Sequence, residues 1–199
     1  MIVVGLTGSI AMGKSATAKI LNSYGVPVFD ADQCVHNLIG PNGKLVSAVA
    51  KEFPGVLEKI KNIKFINRGR LGNIVFNNKN MKRKLEGIIH PQIGKERKKF
   101  TELAMRQRHK IICYDVPLLF ETNGEKSCNK IIVVSAPYVI QKQRALRRKN
   151  MDLQKLNNIL KTQMSDECKR KRADFVVNTG NGHRFSRNQV QNIIKKLTQ

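Results

Sequence analysis

At 199 residues the chain is long enough for one α/β core with a small appended element, and 41% apolar residues exclude an intrinsically disordered chain. No apolar run reaches the roughly 20 residues a membrane helix requires, and the short N-terminal apolar run lacks a basic leader, which predicts a strand and a cytoplasmic protein. The extreme quantity is charge: 37 Lys and Arg against 14 Asp and Glu give +23, a field that draws anions of any kind but specifies none.

The first element predicted is a short strand over 2–6, followed by a glycine-rich turn over 8–13. A helix from Lys14 to Tyr24 comes next, and Gly25 stops it. Val26 to Phe29 reads as a second strand that ends at Asp30-Ala31-Asp32. Residues 31–39 read as a helix before the turn Gly40-Pro41-Asn42-Gly43. From Leu45 to about His109 the pattern is mostly helical, with no convincing strand signal: Arg70 to Phe76, Lys79 to Ile89, and a third helix from Pro91 to His109, proline being suited to a helix's first turn. Ile111 to Val116 is a buried strand with an acid near its carboxyl end, and Lys130 to Ser135 is another. Helices over 137–149 and 152–163, a strand over 175–177 and a helix over 186–197 complete the chain.

Strands alternating with helices imply a parallel sheet of about five strands covered on both faces. The stretch 45–109 is too long for a simple crossover and is read as an inserted helical subdomain. The core is then 1–44 with 110–199. The cysteines, Cys34, Cys113, Cys128 and Cys168, lie outside metal-ligand spacing of one another and predict reduced thiols with no structural zinc.

The chemistry begins at Gly8-Ser9-Ile10-Ala11-Met12-Gly13-Lys14-Ser15, which fits G-x-x-x-x-G-K-[ST] and lies between a strand and a helix. Glycines let backbone N–H groups turn around phosphate oxygens, and the next helix points its positive end at the same anion. Lys14 would reach the β- and γ-phosphates of ATP, and Ser15 would offer its hydroxyl to Mg²⁺. Ala11 and Met12 would contribute backbone, Ala11 with a φ that a Cβ permits. A GTPase would need D-x-x-G and N-K-x-D. Asp115 is followed by Val-Pro-Leu, and Asn77-Asn78-Lys79-Asn80 has no closing aspartate. A small kinase instead needs an acid near the acceptor hydroxyl and arginines on a lid.

Asp30 and Asp32 follow the second strand, at the edge where α/β sheets bind ligands; either could take a hydroxyl proton, and either could be a helix cap. Asp115, at the end of its strand, has the position of an acid that holds the water shell of Mg²⁺. Arg144 and Arg148, four apart on a predicted helix, share a face that could clamp a transferring phosphoryl group or simply be solvated. His90 has no evident partner in the sequence.

Together these segments resemble the dephospho-coenzyme A kinase family. The likeness runs in order through V-G-L-T-G-S-I-A-M-G-K-S, V-F-D-A-D, R-G-R-L-G-N-I-V-F (68–76), L-E-G-I-I-H-P (85–91), D-V-P-L-L-F-E (115–121), Q-K-Q-R-A-L-R-R (141–148), the pair Gln163-Met164 and A-D-F-V-V-N-T-G (173–180). The resemblance implies a P-loop kinase fold and transfer of phosphate from ATP, with Mg²⁺, to the ribose 3′-hydroxyl of dephospho-CoA. It implies that Gly8 to Ala16 bind the ATP phosphates and that Asp32 is the base. Leu118, Leu119, Phe120 and His90 would lie on the acceptor side. Arg148 would be the lid arginine with Arg144 beside it, on a lid over 144–170, and Asn178 and Gly180 would lie by the adenine. Ser9, Ala11 and Met12 depart from the family's usual Gly, Gly and Ser, and Lys149-Asn150 stand where it usually has an acidic residue and glycine. The expected partner is the small-molecule substrate, with no specific nucleic acid and no membrane, and the expected state is a monomer or weak homo-oligomer. The competing readings are a nucleoside or nucleotide kinase and a non-catalytic nucleic-acid binder with a steep salt dependence.

Overall fold

The computed structural model describes residues 1–76 and 78–199; Asn77, part of the Asn-Asn-Lys-Asn stretch weighed above, lies outside the described residues. The order of elements is β1 (Ile2–Thr7), α1 (Lys14–Ser23), β2 (Val28–Asp30), α2 (Ala31–Ile39), α3 (Val46–Glu52), β3 (Leu57–Ile60), β4 (Ile63–Ile66), α4 (Arg68–Phe76), α5 (Lys79–Arg106), β5 (Ile111–Asp115), β6 (Lys130–Ser135), α6 (Tyr138–Leu146), α7 (Leu153–Thr162), α8 (Asp166–Lys171), β7 (Phe175–Asn178) and α9 (His183–Thr198). Two compact units arise. One is 1–29 with 103–199, and the other is 30–102.

The first unit is built on a five-stranded sheet of order β2-β5-β1-β6-β7. β1 pairs in parallel with β5 on one side and β6 on the other, and β6 pairs in parallel with β7. The strands are covered on both faces, so their apolar runs are continuous: Val4, Leu6, Ile112, Cys113, Ile132, Val133 and Val134 are all buried. The central position of β1 follows, and with it the loop after β1 falls at the carboxyl edge where the strand order reverses. α1 ends as expected. Gly25 takes φ 78°, its N–H reaches Asn22 O, and the Val26 N–H reaches Leu21 O, which together satisfy the last turn.

The second unit packs Ile39, Val46, Val49, Phe53, Val56, Ile66 and Leu71 into its own core. Two expectations fail here. The stretch predicted to be mostly helical and without a strand contains the antiparallel hairpin β3–β4, with Leu57 opposite Ile66 and Ile60 opposite Ile63. Its turn is Lys61-Asn62, with Lys61 at φ 54°. No glycine marks the turn, so the strongest local hairpin signal is missing. Pro91 does not start a helix; it lies inside α5, a single helix of 28 residues. The ring removes one backbone bond, but strong helix formers such as Lys82 to Glu86 and Lys95 to Lys99 flank it, and buried Ile89 fixes one side. The short helix α8 was not predicted. Ser165 caps it by accepting the Cys168 N–H at 3.2 Å.

Candidate active site

β1 delivers the chain to Gly8, where a Cβ would stand 2.3 Å from Val134 Cγ2 and 2.7 Å from Val134 O, so only glycine lets the loop leave the sheet here. The loop turns through the Met12 N–H to Ser9 O bond of 3.2 Å and closes at Gly13, the N-cap of α1, at φ 92°. The first N–H groups of α1 have no intrahelical acceptor, and with the positive end of the helix they form an anion cradle. Ser15 stands exposed in this first turn.

Ala11 has φ 61°, in the small left-handed region that a Cβ tolerates at the cost of some strain. Its methyl is buried with Ala145 and Leu156, so packing offsets the strain. Met12 is likewise buried, and its Sδ accepts the Ala136 N–H at 3.1 Å.

Lys14 and Asp115 meet, with Nζ 2.5 Å from Oδ1, and the Asp115 side chain is 3% exposed. The parallel pairing of β1 with β5 sets Leu6 opposite Asp115 and so aligns this acid with the start of the loop. Among the described residues no cluster of three or more His, Cys, Asp or Glu could hold a metal. The donors present, one exposed hydroxyl and one buried carboxylate beside a phosphate cradle, suit Mg²⁺, which keeps waters and takes its other ligands from phosphates.

The loop is braced from behind. Thr179 Oγ1 donates to Met12 O at 2.7 Å, and Arg144 donates to Thr179 Oγ1 at 2.9 Å and to Thr179 O at 2.7 Å. Arg144 is therefore engaged as a support of the loop and does not form a free clamp. The shared helical face also fails: α6 ends at Leu146, Arg147 caps it, and exposed Arg148 lies in the bend beyond. Asn178 closes the turn after β7 by accepting the Gly180 N–H at 2.8 Å. Gly180 is tight, since a Cβ would meet Pro137 Cδ at 2.8 Å.

Of the expected acceptor residues in the first unit, Leu119 and Phe120 are buried at 1% and 4% exposure and offer no ligand surface; Leu118 does. The guanidinium of Arg172 lies 4.5 Å from the centre of the Phe120 ring. In the second unit, Asp30 is the N-cap of α2 and accepts the Gln33 N–H at 2.9 Å. Asp32 is exposed in the first turn of α2, and His90 is exposed on α5.

Sequence reasoning missed the side chains that hold the loop. Gln163 Oε1 accepts the Ile10 N–H at 3.1 Å, and buried Gln141 donates to Ile10 O at 2.9 Å. Lys169 is wholly buried, 2.9 Å from Glu121 Oε1. Burial pushes the Glu121 carboxyl up, but the Lys169 ammonium and the Met164 N–H outweigh it and hold it below the usual carboxylate value. The motif fragments Q-K-Q-R-A-L-R-R, D-V-P-L-L-F-E and Gln163-Met164 contain Gln141, Glu121 and Gln163 but say nothing of what they hold, and Lys169 lies in none of them.

A parallel sheet with a phosphate cradle after its central strand, and a buried acid on the cradle's lysine, defines a phosphate-loop kinase. The family model for dephospho-CoA kinase matches residues 2–184, and the chain belongs to that family. A dephospho-CoA kinase of Bartonella henselae is 45% identical over 197 residues, 99% of this chain and 98% of the relative. Among solved structures, a Thermus thermophilus protein superposes with a TM-score of 0.84 at 26% identity, over 98% of this chain and 96% of its own. A dephospho-CoA kinase from Campylobacter jejuni does so at 0.66 and 29% identity, over 98% and 96%.

Proposed function

We propose that this chain transfers the γ-phosphoryl group of ATP to the ribose 3′-hydroxyl of dephospho-CoA, giving CoA and ADP, the last step of CoA biosynthesis. The observation that carries this reading is the phosphate cradle with its Lys14–Asp115 pair in a chain of that family. The loop from Gly8 to Ala16 holds the phosphates through those of its N–H groups that no protein acceptor takes, and Lys14 offsets charge on the transferring group. When bound, Mg²⁺ neutralises charge across the β- and γ-phosphates; Ser15, and Asp115 through water, would hold it. The new O–P bond forms at the ribose oxygen as the bond to the β-phosphate bridging oxygen breaks, and the hydroxyl proton passes to Asp32. Asp30 accepts the Gln33 N–H as the cap of α2, and it is the likeness to the family that assigns the base to Asp32. Arg148, on a lid over 144–170, would meet the transferred group. The insertion 45–109, with His90, would bind the acceptor, and Leu118 would shape its side of the core. Asn178 and Gly180 would lie by the adenine. The substrate is a small molecule, and we read the protein as a cytoplasmic monomer or weak homo-oligomer without a specific nucleic-acid partner. Among the described residues no helix is long and apolar enough to cross a membrane.

The test is coupled ADP release with Mg·ATP and dephospho-CoA, AMP or adenosine. Turnover is expected on dephospho-CoA alone. Asp32→Asn should lower kcat by about 10²–10⁴-fold, the range for a positioned general base. Asp30→Asn keeps an acceptor for the Gln33 N–H and should stay near wild type. Turnover on AMP or adenosine alone would overturn the assignment of the acceptor.

A further inference from the structure

The two successive peptides that flank Ile10 in the phosphate loop are each held by a side chain outside the loop. The Ile10 N–H donates to Gln163 Oε1 at 3.1 Å, and Ile10 O accepts from Gln141 Nε2 at 2.9 Å. Gln141 is buried on α6, and Gln163 is the C-cap residue of α7. The end of α7 is therefore tied to the arch of the loop, and Ile10 and Ala11 pack beside Leu156 and Leu160 of the same helix.

The residues after Gln163 are anchored in turn. The Met164 N–H donates to Glu121 Oε1 at 2.8 Å, and the same oxygen lies 2.9 Å from Lys169 Nζ. Lys169 is wholly buried, and its bond to Pro117 O is long at 3.5 Å, so Glu121 is its counter-charge. A buried ammonium keeps its place only while its carboxylate is there. Further on, Asp166 Oδ2 accepts from Ser135 Oγ at 2.7 Å, at the end of β6. The segment directly after the residue that holds Ile10 is thus fastened to the core at two points, Met164 and Asp166.

An amide in a phosphate loop points either to the anion or to a protein acceptor. Without Gln163, the peptide that carries the Ile10 N–H keeps only the Met12 N–H on Ser9 O at 3.2 Å, and a loosened cradle must then be reordered each time nucleotide binds. We propose that Gln163 is a positioning residue for nucleotide binding. Its carboxamide oxygen holds the Ile10 amide, and the buried Glu121–Lys169 pair sets Gln163 in place through the Met164 backbone. The proposal rests on the reading that this loop binds ATP phosphates, and not on the identity of the acceptor.

The test uses the full-length protein without acceptor: calorimetric titration with Mg·ATP, amide hydrogen exchange across the loop in the absence of nucleotide, and thermal melting. Gln163→Met keeps the length of the side chain and removes the acceptor. It should speed exchange of the Ile10 amide and weaken ATP binding about tenfold, the scale of one lost hydrogen bond in a preorganised site, while the melting temperature stays close to that of wild type. Gln163→Glu keeps an acceptor and should restore the slow exchange. Glu121→Gln strands the buried ammonium and should lower both melting temperature and ATP affinity. Adding Lys169→Met removes that charge while Gln at 121 still accepts the Met164 N–H, and both should recover. Wild-type exchange or wild-type ATP affinity in Gln163→Met would overturn the role of Gln163. A double variant that regains its melting temperature but not its ATP affinity would overturn the role of the ion pair. If dephospho-CoA is not turned over at all, the functional reading fails, yet this binding series still decides the inference.

Discussion

Gly13 and Ala11 share one loop and both carry positive φ, 92° and 61°, for different physical reasons. At 61° a Cβ is tolerated at the cost of strain, and Ala11 recovers part of that cost by burying its methyl on Ala145 and Leu156. At 92° it is not tolerated, and a Cβ on Gly13 would also stand 2.9 Å from Thr179 Oγ1, the hydroxyl that braces Met12 O. Gly13→Ala should therefore cost at least about 1–2 kcal/mol from backbone strain alone. It should lower the melting temperature by several degrees and remove measurable ATP binding in the same titration. Gly13, Lys14 and Ser15 were legible in the sequence because a phosphate cradle allows few alternatives at those positions. Thr179 was not legible. It is distant in the chain, and a threonine directly before a turn glycine has many uses.

At the scale of elements, the departures lie in the second unit, where local signals conflict with packing. Pro91 reads as a start of helix in one dimension, yet α5 continues through it because Ile89, Leu85 and Ile88 are held in the unit's core. The helix accepts the lost backbone bond, so Pro91→Ala should stabilise the protein by about 1–3 kcal/mol, seen as a higher melting temperature. A lower melting temperature would show instead that the unit needs the proline's geometry. The hairpin β3–β4 escaped notice because its turn has no glycine and its strands are short, with exposed lysines among the apolar residues. The strands of the first unit were legible almost residue by residue. Their continuous Val and Ile runs suit only positions buried on both faces.

For the whole molecule, +23 means mutual repulsion in the folded state. Added salt shortens the screening length from about 30 Å at 0.01 M to about 3 Å at 1 M, so the melting temperature should rise with NaCl between these limits. Acid should act in the opposite direction. Asp174, like Glu121, lies below its usual value: burial raises it, but Lys130 and the Ile131 N–H outweigh that. Both carboxylates are ionised in folded and unfolded chain at neutral pH, where their contribution is complete. As pH falls through the ordinary values of 4.5 for Glu121 and 3.8 for Asp174, the unfolded chain takes up protons first. The stabilisation is then lost until the lower folded values are passed. Melting followed from pH 6 to pH 3 should decline mainly below about pH 4.5, and Glu121→Gln/Lys169→Met should flatten part of that decline.

The sequence by itself determined the alternation of strands and helices, the phosphate loop after the first strand, and the acid at the end of β5. Each of these is written in contiguous residues, where periodicity and backbone freedom act over a few positions. Its ordered motifs also pointed to the family. Tertiary structure alone decided how the loop is held: that Lys14 meets Asp115, that Arg144 is engaged with Thr179, that Gln163 and Gln141 hold the N–H and the C=O of Ile10, and that Lys169 is buried on Glu121. These pairs lie tens of residues or more apart in the chain. A hydrogen bond or ion pair specifies its partner by distance and burial, and neither is set until the sheet has closed the chain around it.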